Sequence, residues 1–217
     1  MAAMGRYDAS GVEAEFEPGS RRRVLRNRLG IRRARDMEIA ESRALRSAQL
    51  TVIERFGPAH RFIARDLCEM HELWLGSIYD WAGRYRTVDI GKGGFQFAHA
   101  GRISVLMADL EGGALQRHTP CAAGSDGQVA RALAETHAEL MLIHPFRDGN
   151  GRLGRLLAML MALQAGLPVL DFRPMYDNGT VAYIAGIHAA LNSDYRPMQA
   201  VFIKVIAAAR RRGRAGD

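Results

Sequence analysis

Residues 144–155 read HPFRDGNGRLGR, and within one short stretch they combine a histidine, a carboxylate, glycines flanking an amide, and two arginines. His144 carries a group that ordinarily titrates near pH 6.5, so it can take a proton from an attacking hydroxyl near neutrality. Asp148 can hold Mg2+ through one carboxylate while phosphates and water complete the octahedron. Gly149, Asn150 and Gly151 lead into GRLGRLLAMLMALQAG, where Leu153, Leu156, Leu157 and Leu160 recur at helical spacing. The glycine loop therefore falls at a helix N-terminus, where amide hydrogens and the positive end of the helix dipole favour an anion. Arg152 and Arg155 share a face of the first turns of that helix. Cations are locally unfavourable there unless an anion is expected, and two guanidiniums suit a polyphosphate. Taken singly, a helix-end histidine reads as a cap and a loop aspartate as a turn former. Their joint occurrence is what points to phosphate chemistry.

The elements that must position this stretch are mostly helical. ARALAETHAELMLI places Leu133, Thr136, Leu140 and Ile143 at helical spacing and stops at Pro145, which has no amide hydrogen to continue it, so His144 lies at a helix end. Phe146 reads as an apolar anchor for the loop. Gly166, with Pro168 beyond it, closes the following helix. Upstream, EPGSRRRVLRNRLGI (17–31) reads as an irregular arm, and a helix is predicted from about Ala34 to Phe56. A second helix, ARDLCEMHELWLGSIYDWAG, puts Leu67, Met70, Leu73 and Trp74 on one face and ends near Gly76 or Gly83. Then the period changes. In TVDIGKGGFQFA (87–98), Val88 and Ile90 alternate before KGG, and Phe95 and Phe97 alternate after it, which is the pattern of a hairpin. Helical patterns resume at 102–112, 127–143, 151–165, 179–191 and 195–209. The expected fold is all-α, with one short β-hairpin.

Composition narrows the setting. A chain of 217 residues with 48% hydrophobic residues can bury one real core. No apolar run approaches the ~18 residues that argue for a membrane span, and no signal peptide opens the chain; a cytoplasmic protein is expected. Cys68 and Cys121 form no CxxC pair, so they read as reduced structural thiols. The net charge of +7 raises a nucleic-acid partner. Eight arginines between Arg21 and Arg35 and the RRRGR run at 210–214 place much of the excess in terminal segments, without finger spacing or an aromatic RNA-binding pattern, and this argues against it. His71, His137 and His188 lack acids or cysteines at zinc-ligand spacing, and HELWL lacks the second histidine of HExxH, so they read as structural. Trp74, Tyr79, Trp81 and Tyr85 surround a turn and read as packing beneath the hairpin.

HPFRDGNGRLGR matches the Fic signature H-x-F-x-[D/E]-G-N-G-R-x-x-R at His144, Phe146, Asp148, Gly149, Asn150, Gly151, Arg152 and Arg155, and LWLGSIYDWAGRYRTVDIGKGGFQFA resembles the segment that leads into the family's flap. The resemblance runs over most of the chain and implies a basic arm at 1–33, a Fic domain at 34–206 and a basic tail at 207–217. It implies transfer of AMP from ATP to a Tyr, Thr or Ser hydroxyl of a target protein, with release of pyrophosphate. His144 would deprotonate the hydroxyl, Asp148 would hold Mg2+, and Gly149, Asn150 and Gly151 would form the anion hole. Arg152 and Arg155 would hold the outer phosphates. Lys92 and Gly93 would border the nucleotide, with Gly94 and Phe95 docking the target. Relatives that transfer a phosphoryl group or another nucleotide depart from the GNGR part of the loop, which this chain keeps; a basic nucleic-acid-binding module is a distant alternative. The family's inhibitory motif, [S/T]-x-x-x-E-[G/N], does not occur: Glu111 alone precedes Gly or Asn, and Met107 stands four residues before it. The resemblance thus implies either an unrestrained enzyme or a toxin-type one controlled in trans by a small antitoxin-like protein whose glutamate pairs with Arg155.

Overall fold

Ala34 to Arg55 contains neither glycine nor proline and forms the first long helix, α1 (Ala34–Arg55), which ends where Gly57 and Pro58 follow. The computed structural model describes residues 8–9 and 15–214; the rest of the expected arm and tail, 1–7, 10–14 and 215–217, lies outside the described residues. Two units are present, one of residues 1–55, 64–107 and 143–150, the other of 56–63, 108–142 and 151–217.

In the first unit, α1 buries Met37, Glu41, Ala48 and Val52. Helix α2 (Ala64–Leu75) buries Leu67, Met70, His71 and Trp74. Leu73, expected on that stripe, is instead exposed. At about 100° per residue it lies well off the axis of the Leu67–Met70–Trp74 stripe, and His71 takes the inner place. The core gathers Val24, Met37, Ala48, Trp74, Leu75, Ile78, Tyr79 and Ala82. The arm is irregular, but it is packed: Phe16 bridges to Leu25, and Val24 is buried.

The expected hairpin is β2 (Ile90–Lys92) and β3 (Phe95–Gln96), antiparallel, with Lys92 opposite Phe95. Gly93 and Gly94 both have positive φ, 59° and 82°, the pair of conformations that a two-residue turn between right-twisted strands requires. A further short strand, β1 (Asp8–Ala9), joins the other edge of β2, giving the order β1-β2-β3.

After a 3-10 turn at Ala100–Arg102 the chain enters α3 (Ile103–Leu110), and here the expected stop at Gly112 is not observed. A π-turn, Glu111–Leu115, carries the chain into α4 (Gln116–His118). Gly112 and Gly113 do not take the left-handed conformation that would cap a helix. Ala114 and Leu115 are buried, so the wider turn keeps apolar side chains inward.

The second unit is built on α5 (Asp126–Ile143, its last residue falling in the first unit), α6 (Asn150–Gln164, beyond its first residue), α7 (Thr180–Ala190) and α8 (Arg196–Arg214). Leu133 and Leu140 of α5, Leu153, Leu157 and Leu160 of α6, and Phe202, Val205 and Ile206 of α8 are buried. Gly166 closes α6, with the Leu167 amide donating back to Ala162 at 2.9 Å. Residues 207–214, read from sequence as part of a separate tail, continue α8 as helix. Ala209 is buried one turn past Ile206, and Arg210 pairs with Asp126 at 2.6 Å. Among the described residues, no helix is long and apolar enough to cross a membrane.

Candidate active site

Helix α5 ends at Ile143 because Pro145 cannot extend it, and the residue between them, His144, is left-handed with φ 50°. A non-glycine residue holds that conformation only where its surroundings fix it. Arg86 does much of this. Its side chain is buried; Nε donates to the His144 carbonyl at 2.8 Å and Nη2 to that of Ile143 at 3.3 Å, so a cation sits at the negative end of α5. The Arg86 amide donates to the Pro145 carbonyl at 2.9 Å.

The loop that follows is braced from within. The Asn150 side chain accepts from the Phe146 amide at 2.9 Å and donates to the Phe146 carbonyl at 2.7 Å. Its side-chain amide thus acts as a strut within the loop. The Phe146 ring is fully buried and stacks on His71, centroids 4.0 Å apart and 10° from parallel. His71 Nδ1 accepts from the Gly83 amide at 2.9 Å, which leaves Nε2 as the protonated nitrogen of the neutral ring. Nε2 then donates to the Asp148 carbonyl at 3.0 Å. Gly149 has φ 86°, and a Cβ there would lie 2.8 Å from Trp74 Cζ3, so only glycine can follow this course over the indole. Trp74, Trp81 and Tyr85 surround the His71–Phe146 pair, as expected of residues that pack.

Asp148 is buried, and its Oδ1 accepts from the Gly149 amide, which orients the carboxylate. Among the described residues, no three His, Cys, Asp or Glu side chains converge on a metal position. One oriented carboxylate beside an anion loop fits Mg2+, which is commonly held by one or two carboxylates with substrate phosphates and water.

The hairpin supplies a residue that the sequence pattern gave only as strand alternation. The Phe97 ring stacks on the His144 imidazole, centroids 3.7 Å apart and 16° from parallel, and Phe95 meets Phe97 edge-on at 5.4 Å. Lys92, Gly93 and Gly94 form the exposed tip. Local spacing assigns none of His71, Arg86 and Phe97 to the site; the burial of Arg86 among main-chain carbonyls is visible only in three dimensions.

In the second unit, Arg152 and Arg155 lie on the opening turns of α6, half-buried, with the Arg155 guanidinium 5.3 Å from the Tyr176 ring centroid. His137 is buried, with Nε2 3.0 Å from the Tyr183 hydroxyl; burial, with the Arg155 charge second, pushes its pKa down to about 4. Burial likewise pushes the Tyr183 hydroxyl up to about 12. His137 is thus a neutral structural histidine. Both cysteines are free thiols, and burial raises both, Cys121 to about 11, so neither is a nucleophile near neutrality.

A helical fold with one short hairpin and a histidine at the head of a glycine loop is what the comparisons also find. Residues 61–162 match the Fic/DOC family. The Salmonella typhimurium protein named "Probable protein adenylyltransferase Fic" is 35% identical over 149 residues, which span 66% of this chain and 70% of that protein. Among solved structures, the BepC protein of Bartonella tribocorum with bound AMPPNP superposes with a TM-score of 0.65 at 21% identity, over 83% of this chain and 91% of that one. The N-terminal Fic domain of a Bartonella effector protein from Bartonella sp. AR 15-3 gives a TM-score of 0.69 at 22% identity, over 88% and 89% of the two chains. The chain belongs to the Fic/DOC family.

Proposed function

We infer that this protein is an adenylyltransferase that moves AMP from ATP onto a hydroxyl side chain of a target protein. The observation that carries this reading is the loop itself: His144 stands at its head in a fixed left-handed conformation, and the loop behind it is braced by Asn150, His71 and Arg86. Preorganisation of this kind is what a transferred phosphoryl group requires, because there is little covalent work for the protein to do. The curated relative at 35% identity bears the name of the same activity.

The hydroxyl oxygen of the target attacks the α-phosphorus while its proton passes to the His144 imidazole. The bond from the α-phosphorus to the α,β-bridging oxygen breaks, and pyrophosphate leaves with that oxygen. The main-chain amides of Gly149, Asn150 and Gly151 take the anionic oxygens, and Arg152 and Arg155 hold the β- and γ-phosphates. Asp148 would hold Mg2+, which supplies charge neutralisation on the phosphates. The hairpin receives an extended segment of the target at Gly94 and Phe95, where strand addition gives affinity through main-chain hydrogen bonds, while Lys92 and Gly93 border the nucleotide. The use of ATP as donor and two cysteines that form no disulfide support a cytoplasmic setting. The same reading leaves the enzyme either unrestrained or controlled in trans by a small antitoxin-like protein that presents a glutamate to Arg155 and blocks the γ-phosphate position. Expression without a partner gene tests that part: the wild type slows growth and His144→Asn does not.

Labelled ATP tests the reaction. Label from the α-phosphate is expected on protein and label from the γ-phosphate is not. Transfer from the γ-position alone would make the protein a phosphotransferase and overturn the assignment.

A further inference from the structure

The buried guanidinium of Arg86 joins three segments of the first unit. Besides the carbonyls of Ile143 and His144, it donates through Nη1 to the Val88 carbonyl at 2.7 Å, in the chain entering the hairpin, and through Nη2 to the Ala98 carbonyl at 2.5 Å, in the chain leaving it. The half-exposed carboxylate of Asp89 lies 4.0 Å from Nη1, and the four main-chain carbonyls turn their negative ends toward the buried charge. One residue later than Gln96, the last residue of β3, Phe97 places its ring flat on the His144 imidazole. The main chain of the histidine and its ring are therefore both held by the base of the hairpin.

We propose that Arg86 and Phe97 are positioning residues through which the hairpin sets His144 for the reaction: Arg86 fixes its main chain to both stems, and Phe97 restrains the rotation of its ring. This rests on the assignment of His144 as the base. A target strand added to the hairpin is then registered against the same framework that aims the imidazole, so docking and proton transfer share one reference. A base displaced by about 1 Å can lose on the order of 10²-fold in rate, which is why such a device needs rigid parts.

The test uses the purified full chain, α-labelled ATP and proteins of a clarified bacterial lysate as acceptors, with His144→Asn setting the background. Phe97→Leu keeps bulk but loses the flat ring, Phe97→Tyr keeps the ring, and Arg86→Lys keeps the charge but loses the fork. Phe97→Leu is expected to lower the labelling rate at saturating ATP about tenfold, with half-saturating ATP changed less than about twofold, and Phe97→Tyr to recover most of the rate. Arg86→Lys is expected to lose more; because it strands buried carbonyls and can fail to fold, Phe97→Leu carries the decision. Independently of any acceptor, the His144 ring proton resonances are expected to move in Phe97→Leu and to return in Phe97→Tyr, as the ring-current field of a stacked aromatic is removed and restored. A wild-type rate in Phe97→Leu, or unmoved His144 resonances, would overturn the proposal. Labelling that survives in His144→Asn would instead sink the assignment on which it rests.

Discussion

The loop at 145–150 and the hairpin tip at 92–95 belong to one unit and are built on opposite terms. In the loop every residue is buried, and the Arg86 amide with the side chains of His71 and Asn150 ties its backbone in place. The tip exposes Lys92, Gly93 and Gly94 and rests on a two-residue turn. The chemistry-bearing stretch is enclosed, and the edge at the hairpin tip is left open. A reaction common to many targets needs a rigid centre, while recognition by main-chain pairing needs an accessible strand edge and little else.

That contrast can be broken or sharpened. The largest effect is expected from His144→Asn, which tolerates the left-handed conformation and removes the proposed base; transfer should fall ~10² to 10⁴-fold, with thermal unfolding near that of the wild type. Gly149→Ala comes next. The strained φ and the approach to Trp74 displace the loop, so ATP binding by calorimetry should weaken on the order of tenfold, with a loss of ~1 to 3 kcal/mol in urea unfolding. Intact ATP binding in that variant would show that the loop is less rigid than its enclosure suggests.

An acid-dependent effect comes from the second unit. The folded pKa of His137 is depressed to about 4 from an ordinary 6.5, so the neutral form is favoured in the folded state. Its contribution is fully present above about pH 6.5 and is lost as the pH falls toward 4, on the order of 3 kcal/mol at most. Urea midpoints measured across that range should decline in the wild type and decline less in His137→Gln. The smallest effect is expected at the tip: Phe95→Ala should lower labelling of protein acceptors a few-fold while leaving ATP binding unchanged, with stability altered by about 0.5 kcal/mol. Equal losses for acceptor and ATP would erase the distinction between tip and loop.

Much of the helical framework was legible because apolar spacing and breakers agree locally. Pro145 and the Leu153–Leu156–Leu157–Leu160 stripe place α5 and α6 within a residue of their observed limits. The errors share a cause. Leu73 is apolar but lies well off the Leu67–Met70–Trp74 stripe, and the polar His71 takes the inner place because Phe146 and the Gly83 amide receive it. Gly112 reads as a stop, yet buried Leu115 carries the chain through a π-turn. Arg210 reads as a solvated tail residue, yet Asp126, far away in sequence, holds it on α8.

The sequence by itself determined the helical class, the hairpin and its glycine turn, and the chemistry-bearing stretch, since helical spacing, turn conformation and the order of His144, Asp148 and the arginines are properties of adjacent residues. Only the tertiary structure decided how that stretch is held. The tautomer of His71 depends on the Gly83 amide, and the course of Gly149 on the Trp74 ring. The setting of His144 depends on Arg86 and Phe97, separated from it by 58 and 47 positions. Hydrogen bonds and ring contacts between distant segments carry no periodicity along the chain, so no local pattern can announce them.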